Sequence, residues 1–347
     1  MSKQVKIGNI YIGGNNPVAV QTMSTGKISD TESAIKLAQS VEKEGCDILR
    51  FSVLDEKDAS AFSVVKKHTK MPLVADIHFD YRLALKSIDG GADKIRINPG
   101  NIGNSSNVQE VANALKRNQI PVRVGSNSGS IEKEFLDKYG VSEVSLAESA
   151  LKHVYTLEKC GVSDIVVSVK SSSVPMMVKA YEYISKRVDY PLHLGVTEAG
   201  TEYTGIIKNS IGIGALLLNG IGDTIRVSLS AEPEREVLAG RTILKSAGLL
   251  NDGVEVVACP TCGRCAWDCM EFAKKTEEYV KGIKKPLKIA VMGCVVNGPG
   301  EAKNADVGVA GAKDACVIFS RGQIIKTVKR ENLEKEFFGE IDKCIEE

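Results

Sequence analysis

The stretches Lys94-Ile95-Arg96-Ile97-Asn98-Pro99-Gly100 and Val122-Arg123-Val124-Gly125-Ser126-Asn127 each join a short apolar run to a polar end. Short β-branched runs of this kind are typical of buried strands. The two stretches carry Arg and Asn in similar places, so we interpret them as matched elements on adjacent strands. Helical patterns of about 10–15 residues follow such runs along the chain, which indicates a parallel α/β fold.

The alternation of strand and helix occurs eight times. The predicted strands are Val18–Thr22, Asp47–Ser52, Leu73–Ile77, Lys94–Asn98, Val122–Gly125, Asp164–Val169, Leu192–Val196 and Thr224–Ser228. Eight strand–helix units within about 240 residues predict a closed (β/α)8 barrel of the TIM type, and a doubly wound open sheet is the competing interpretation. Before the first unit, residues 5–12 predict a small hairpin around Gly8-Asn9.

Composition limits the possible partners and the location of the protein. The 347 residues include 45 Lys and Arg against 44 Asp and Glu, a balance that gives no reason to expect nucleic acid or an anionic membrane as partner. No apolar run approaches the roughly 18 residues of a membrane span. The first residues, Met1–Lys6, form no apolar signal region, so we expect a cytoplasmic protein.

The ends of the predicted strands are polar, which packing alone does not explain. They carry Gln21, Arg50, Asp76, His78, Arg96, Asn98, Arg123, Asn127, Lys170, Glu198, Arg226 and Ser228. In a (β/α)8 barrel these ends meet at one face, where the active site lies. Several Arg and a Lys around one mouth predict a polyanionic ligand.

A second, smaller α/β domain is predicted over residues 254–347, after a barrel domain over residues 1–250. The length of the chain favours two domains. The strands and the final helix of the second domain are predicted at Pro286–Met292, Asp306–Ala310, Cys316–Phe319, Ile324–Val328 and Glu331–Glu346.

The second domain contains a cysteine motif that points to a metal site. Cys259 and Cys262 share a tight turn, and Cys294 is followed by Gly298-Pro299-Gly300 and Glu301. Nine cysteines in an intracellular chain imply reduced thiols or metal ligands rather than disulfides. Soft thiolates select zinc, copper or iron–sulfur clusters, and a set of three thiolates with a carboxylate is unusual for structural zinc.

A second spacing competes for the same cysteines. Cys259, Cys262, Cys265 and Cys269 fit the C-x2-C-x2-C-x3-C run of bacterial ferredoxins. Met270 stands where that run normally has Pro, and the ferredoxin interpretation leaves Cys294 unexplained. We further expect residues 265–269 to begin a helix, which would turn the two thiols away from a common point.

The motifs Cys-Pro-Thr-Cys-Gly-Arg (259–264) and Gly-Cys-Val-Val-Asn-Gly-Pro-Gly-Glu (293–301) together resemble those of the 4-hydroxy-3-methylbut-2-enyl diphosphate synthases. This family belongs to the non-mevalonate isoprenoid pathway, and the resemblance covers nearly the whole chain. It implies the two-domain form of an iron–sulfur oxidoreductase that opens 2-C-methyl-D-erythritol 2,4-cyclodiphosphate. It also implies a ferredoxin or flavodoxin as electron donor. A homodimer is implied too, in which the barrel of one subunit faces the cluster domain of the other.

The resemblance also implies roles for particular residues. It assigns a 4Fe-4S cluster to Cys259, Cys262, Cys294 and Glu301, and acid–base catalysis to Glu198. The residues that it assigns to the diphosphate and to the sugar-derived part of the substrate are Arg50, Arg96, Asn98, Arg123, Asn127, Lys170 and Ser228. Glu198 has an orienting role as its alternative, pairing with an Arg or Lys of the mouth.

Two other classes of protein remain open from the sequence. One is a barrel enzyme with a structural zinc or ferredoxin-like module. The other is a pterin- or corrinoid-linked methyltransferase, because such barrels have a similar size. Zinc without sulfide would favour the first, and a bound methyl carrier would favour the second.

Overall fold

Eight parallel strands form the barrel in the computed structural model, which describes residues 1–265, 267–296, 298–312 and 314–346. The strands are β3 (Ala19–Met23), β4 (Ile48–Val53), β5 (Leu73–Ile77), β6 (Lys94–Arg96), β7 (Val122–Asn127), β8 (Ile165–Lys170), β9 (His193–Leu194) and β10 (Thr224–Ile225). Strands β3 to β8 pair in chain order, and β10 lies between β3 and β9. A parallel bridge between Val167 and Leu192 closes the circle.

The eight predicted strands and the closed barrel are therefore confirmed, with small differences in the bounds of the strands. Strands β9 and β10 are shorter than the sequence predicts. Their contact nevertheless continues past the paired residues, since the Arg226 amide donates to the Leu194 carbonyl at 2.9 Å.

Helices surround the barrel, and several begin at residues whose side chains cap them. They are α1 (Thr31–Lys43), α2 (Glu56–Val65), α3 (Tyr81–Asp89), α4 (Ser105–Asn118), α5 (Lys133–Tyr139), α6 (Glu143–Lys159), α7 (Val174–Ser185), α8 (Glu202–Leu218) and α9 (Pro233–Ser246). Short 3-10 turns occur at Lys66–His68 and Ser128–Ser130. The side chains of Asp30, Asp55, Asp80 and Asn104 accept hydrogen bonds from amides in the first turns of α1 to α4, which satisfies groups that a helix start leaves unpaired.

The predicted hairpin closes the bottom of the barrel. Strands β1 (Val5–Ile7) and β2 (Ile10–Ile12) pair antiparallel. The apolar side chains of the hairpin pack with the lowest inward layer of the barrel strands. This cluster consists of Val5, Ile7, Ile12, Ala19, Ile48, Val74 and Val166. Buried apolar area of this kind stabilises the fold by about 25 cal/mol per Å², so the hairpin is part of the barrel core.

The chain divides into two compact units, Met1–Leu250 and Asn251–Glu347. The second contains β11 (Val254–Ala258), α10 (Cys269–Tyr279), β12 (Leu287–Met292), α11 (Gly298–Glu301), β13 (Val307–Gly311), β14 (Ala315–Ser320), β15 (Gln323–Lys329), a 3-10 turn (Arg330–Asn332) and α12 (Leu333–Glu346). Its sheet has the order β11-β12-β13-β14-β15, parallel as far as β13 and antiparallel beyond. The predicted inward face of α12 is confirmed, because Leu333, Phe337 and Ile341 are buried.

The expected helix start at residue 265 is wrong. Helix α10 begins only at Cys269, because the Asp268 side chain accepts from the Glu271 amide at 3.0 Å and caps it. Cys265 therefore precedes the helix. Its Sγ lies 3.6 Å from that of Cys269, so the two thiols are not turned apart.

No helix in the part of the chain that the structure describes combines the length and the apolar character needed to cross a membrane.

Candidate functional site

Polar residues at the carboxyl ends of the barrel strands surround one cavity of about 220 Å³. Its lining consists of Met23, Arg50, Ser52, Asp76, His78, Arg96, Arg123, Asn127, Ser168, Lys170, Thr197, Arg226 and Ser228. The parallel register aligns neighbouring residues of this set, as in the pairing of Asp76 with Arg96 and of Arg96 with Arg123. The cavity therefore lies where a (β/α)8 barrel carries its active site.

The cavity has an excess of positive charge. Among the described residues, five cationic side chains line it, and Asp76 is the one carboxylate in its lining. The structure thus brings six of the residues implied for substrate binding to one place: Arg50, Arg96, Arg123, Asn127, Lys170 and Ser228. Charge-assisted hydrogen bonds from Arg to phosphate are among the stronger polar contacts in proteins, so the cavity favours a phosphorylated ligand.

Asp76 is the counter-ion of this cluster. Its carboxylate accepts from Arg96 Nη1 at 3.0 Å and lies 3.7 Å from Arg50 Nε. Burial by itself raises the pKa of Asp76, but the charges of Arg50, Arg96 and Arg123 outweigh it and lower the pKa to about 2. Asp76 is therefore ionised at neutral pH and orients two of the arginines.

Arg226 is predicted at the mouth of the barrel and lines the cavity, but the family resemblance assigns it no role. Its Nη2 donates to Glu236 Oε1 at 2.8 Å, and its Nε donates to Oε2 at 3.2 Å. Thr22 Oγ1 and the Leu229 amide also donate to this buried carboxylate. Glu236 lies in α9, so the signal that could have found this pair is an acidic residue on the inward face of the helix after β10.

Arg123 and Lys170 are deeply buried. Arg123 is 2% exposed, and its Nε and Nη1 have no hydrogen-bond partner among the residues described. Burial, with the charge of Arg50 and its neighbours, holds the pKa of Arg123 well below its ordinary value. The pKa of Lys170 is lowered well below its usual range by burial and by Arg123. A bound anion would offset both effects, because it supplies the missing opposite charge.

Asn98 and Glu198 lie outside the lining of the cavity. Asn98 is buried, and its Oδ1 accepts from the Gly100 amide at 3.2 Å. Glu198 is exposed and has a φ of 51°, a left-handed conformation that is uncommon for a residue other than Gly. Its neighbour Thr197 does line the cavity.

His78 and His193 lie in different environments in the barrel. His78 lines the cavity. His193 is fully buried, with Nδ1 at 2.8 Å from Thr224 Oγ1, so it belongs to the barrel core. No hydrogen-bond partner for its Nε2 is found in the described residues.

The cysteine motifs of the second unit follow the carboxyl ends of two adjacent parallel strands. Cys259 follows β11, and its amide donates to the Val291 carbonyl of β12 at 2.9 Å. Cys294 comes two residues after β12, and Glu301 ends α11. The intervening Gly298-Pro299-Gly300 forms this short helix rather than a plain turn, while Asn297 lies outside the described residues.

The local geometry of residues 259–264 favours the thiolate form of Cys262. Thr261 has a φ of 64°, which tightens the turn between Cys259 and Cys262. The backbone and side chain of Arg264 lower the pKa of the exposed Cys262 thiol, since a hydrogen-bond donor and a cation favour the charged form. Arg264 also interacts electrostatically with Cys294 and Glu301.

The residues present fit a soft-metal cluster, although their side chains are not gathered into a coordination shell. No three His, Cys, Asp or Glu side chains within residues 1–265, 267–296, 298–312 and 314–346 are grouped closely enough to hold a metal ion. The backbone nevertheless leaves space at the site. A Cβ on Gly293 would lie 3.4 Å from Cys259 Sγ and 3.0 Å from Cys265 Sγ, so glycine leaves these sulfurs room.

Fold and cavity together define a (β/α)8-barrel protein with a mouth suited to a polyanion and a separate cysteine-bearing unit. The family model described as the GcpE TIM-barrel domain matches residues 2–241, and that of the GcpE protein C-terminal domain matches residues 255–343.

Proteins with similar sequences match this chain over nearly its full length. A protein of Caldanaerobacter subterraneus subsp. tengcongensis is 56% identical, over 100% of this chain and 98% of its own. One of Clostridium acetobutylicum is 53% identical, over 98% of each chain. Both are named 4-hydroxy-3-methylbut-2-en-1-yl diphosphate synthase (flavodoxin). The chain belongs to this synthase family.

Solved structures with a similar fold are more distant. The dihydropteroate synthase of Yersinia pestis has a TM-score of 0.53 at 10% identity, over 72% of this chain and 98% of its own. That of Xanthomonas albilineans in complex with 7,8-dihydropteroate has a TM-score of 0.50 at 13% identity, over 71% and 97%. At such identities the likeness shows the barrel fold alone.

Proposed function

We propose that the chain catalyses the reductive opening of 2-C-methyl-D-erythritol 2,4-cyclodiphosphate to 4-hydroxy-3-methylbut-2-enyl diphosphate. The reaction takes up two electrons and two protons. A carbon–oxygen bond of the ring breaks, and a hydroxyl group leaves as water. The observation that carries the proposal is the convergence of six family-motif residues on one cavity with five cations in its lining.

The barrel binds and orients the diphosphate. Arg50 and Arg96, both held by Asp76, present donors to phosphate oxygens from fixed positions. Arg123 brings two N–H groups that have no protein partner in the described part of the chain, and Lys170 brings an ammonium group. Asn127 and Ser228 orient the sugar-derived part and the nearby phosphate. Fixed donors of this kind lower the cost of reorganisation during the reaction.

Asn98 is the second amide in this proposal, as the family motif implies. Its Oδ1 is already engaged by the Gly100 amide, so its Nδ2 is the group available to donate toward the ligand.

Glu198 supplies the proton for the leaving hydroxyl group in this proposal. Its left-handed backbone supports a functional role, because strained conformations of residues other than Gly cluster at active sites. Its neighbour Thr197 lines the cavity, so a modest movement of the side chain suffices to reach a bound substrate.

Cys259, Cys262, Cys294 and Glu301 would hold a 4Fe-4S cluster. When bound, the cluster would pass the two electrons from the donor, one at a time, and would supply a Lewis-acidic iron. Glu301 contributes the one hard ligand, and a carboxylate is easier to exchange than a thiolate, which suits a site that must open to substrate. The names of the relatives support flavodoxin as donor, and a homodimer completes the proposal.

Anaerobic purification with quantification of iron and sulfide, followed by an assay on the cyclodiphosphate with reduced flavodoxin, tests the proposed function. Formation of the linear diphosphate in proportion to iron content is the expected result. Zinc without sulfide, or no turnover by a protein with its full complement of iron, would contradict it.

A further inference from the structure

Cys265 and Cys269 form a close thiol pair that the proposed cluster does not use. Their Sγ atoms lie 3.6 Å apart, near the distance of van der Waals contact between sulfurs. Cys265 is half-buried and Cys269 is buried. Cys265 is therefore the more accessible residue of the pair.

Trp267 holds the two cysteines in this arrangement. Its carbonyl oxygen accepts from Cys265 Sγ at 3.1 Å and from the Cys269 amide at 3.0 Å. The indole is itself fixed, because Nε1 donates to the Met292 carbonyl at 3.2 Å. The ring also lies over Gly311, where an added Cβ would approach it to 2.1 Å. These contacts fix the positions of both cysteines within the domain.

The pair lies beside a proposed cluster ligand. Cys265 Sγ and Cys259 Sγ both border the same space over Gly293. An oxidant that damages the cluster arrives next to Cys259, whose irreversible oxidation would end cluster binding. Cys265 is the neighbouring thiol with a resolving partner in contact, which is the arrangement of a reversible redox site.

We propose that Cys265 and Cys269 are a peroxide-reactive thiol pair that forms a reversible disulfide next to the cluster. The Cys265 sulfur attacks a peroxide oxygen and becomes a sulfenic acid, with release of one water. The Cys269 thiol then attacks that sulfur, and the sulfenic oxygen leaves as a second water. Two thiols and hydrogen peroxide give one disulfide and two waters, so the two thiols supply both electrons.

The disulfide requires only a small movement. A disulfide bond is about 2.05 Å long, so the sulfurs must approach by about 1.5 Å from their present separation. Rotation of the half-buried Cys265 side chain provides this approach. A low-molecular-weight dithiol returns both sulfurs to the reduced state. The inference rests on Cys259, Cys262 and Cys294 being the thiol ligands of the cluster in the proposed function.

Peptide mapping of the peroxide-treated holoenzyme tests the proposal. Trypsin cleaves after Arg264 and Lys274, so residues 265–274 form one peptide and Cys259 and Cys262 lie in another. After treatment with hydrogen peroxide and alkylation, peptide 265–274 should have lost two hydrogens and carry no alkyl group. Dithiothreitol should restore its alkylation. Cys269→Ser should instead accumulate sulfinic and sulfonic acid at Cys265 severalfold over the parent, and Cys160→Ser, a single half-buried thiol elsewhere, should behave as the parent.

Three outcomes would overturn the proposal. One is full alkylation of peptide 265–274 after peroxide treatment, and another is a disulfide that joins Cys265 to Cys259. The third is loss of iron from Cys265→Ser or Cys269→Ser as purified, which would make the pair cluster ligands. These experiments measure peptide mass and iron content. Their outcome therefore does not depend on whether the enzyme turns over the cyclodiphosphate.

Discussion

The guanidinium of Arg226 is held by both carboxylate oxygens of Glu236, at 2.8 Å and 3.2 Å. Glu236 is 3% exposed and receives two further hydrogen bonds, so it fixes a cation that faces the cavity. Glu236→Gln should raise KM for the cyclodiphosphate about tenfold with a smaller effect on kcat, because a charge-assisted contact is worth roughly 1.5–3 kcal/mol. Glu234→Gln on the same helix is the control, and an unchanged KM in Glu236→Gln would show that Arg226 does not need this support.

Arg123 should contribute directly to substrate affinity. Arg123→Ala is expected to weaken binding by about 10–100-fold, which corresponds to roughly 1.5–3 kcal/mol, without a change in iron content. Titration calorimetry with the substrate measures the effect. The matched control is Arg117→Ala, at an exposed position of α4. Equal affinities in parent and Arg123→Ala would exclude Arg123 from the binding site.

Lys170 should make substrate binding dependent on pH. Burial and the nearby arginines lower its pKa, so the amine is charged below that pKa and neutral above it. Affinity for the anionic substrate should therefore fall as pH rises through the pKa of Lys170. Lys170→Arg keeps the charge and should move this fall to higher pH, whereas Lys179→Arg on the exposed side of α7 should not. Parent affinity that does not change with pH would contradict the assignment.

Asp76 should stabilise the barrel through its depressed pKa. The pKa is lowered from 3.8 to about 2, so this stability is present above pH 3.8 and is lost as pH falls toward 2. Removing one partner of a buried ion pair costs about 3–5 kcal/mol, so we expect Asp76→Asn to lose that much at neutral pH. Urea unfolding at several pH values measures it, with exposed Asp89→Asn as control. A difference from the parent that stays constant down to pH 2 would argue against the linkage.

Glu301 should be an exchangeable ligand. Glu301→Cys should still assemble a cluster, with an all-thiolate shell, but turnover per iron should be largely lost because no ligand yields easily to substrate. Glu271→Cys in the first turn of α10 is the control for an added thiol. Turnover near the parental value in Glu301→Cys would mean that Glu301 only ends the short helix α11.

Much of the fold could be predicted from the sequence because parallel strands and capped helices have strong local signals. The run Leu73–Ile77 is apolar apart from Asp76, and its predicted bounds are those of β5. The candidate site could be predicted for a similar reason. A polar residue at the end of a buried strand, such as Lys170, has few structural explanations.

Features that depend on side chains meeting across the fold were not predictable. The Arg226–Glu236 pair joins a strand end to the next helix, and an acidic residue on the inward face of that helix does not by itself identify its partner. The contact of Cys265 with Cys269 depends on Asp268, which caps α10 and sets its start at Cys269. With the helix starting at Cys269, Cys265 lies before it, and the two sulfurs are 3.6 Å apart.

The hairpin of β1 and β2 gives the barrel a floor as well as a few additional core residues. Because Ile7 and Ile12 close that end in the described part of the chain, the cavity opens at the opposite face. The linear diphosphate must leave through the opening by which the next cyclic diphosphate arrives, and it carries the same anionic group past the same arginines. Each barrel therefore admits one molecule at a time, and product that is still bound at the opening competes with substrate.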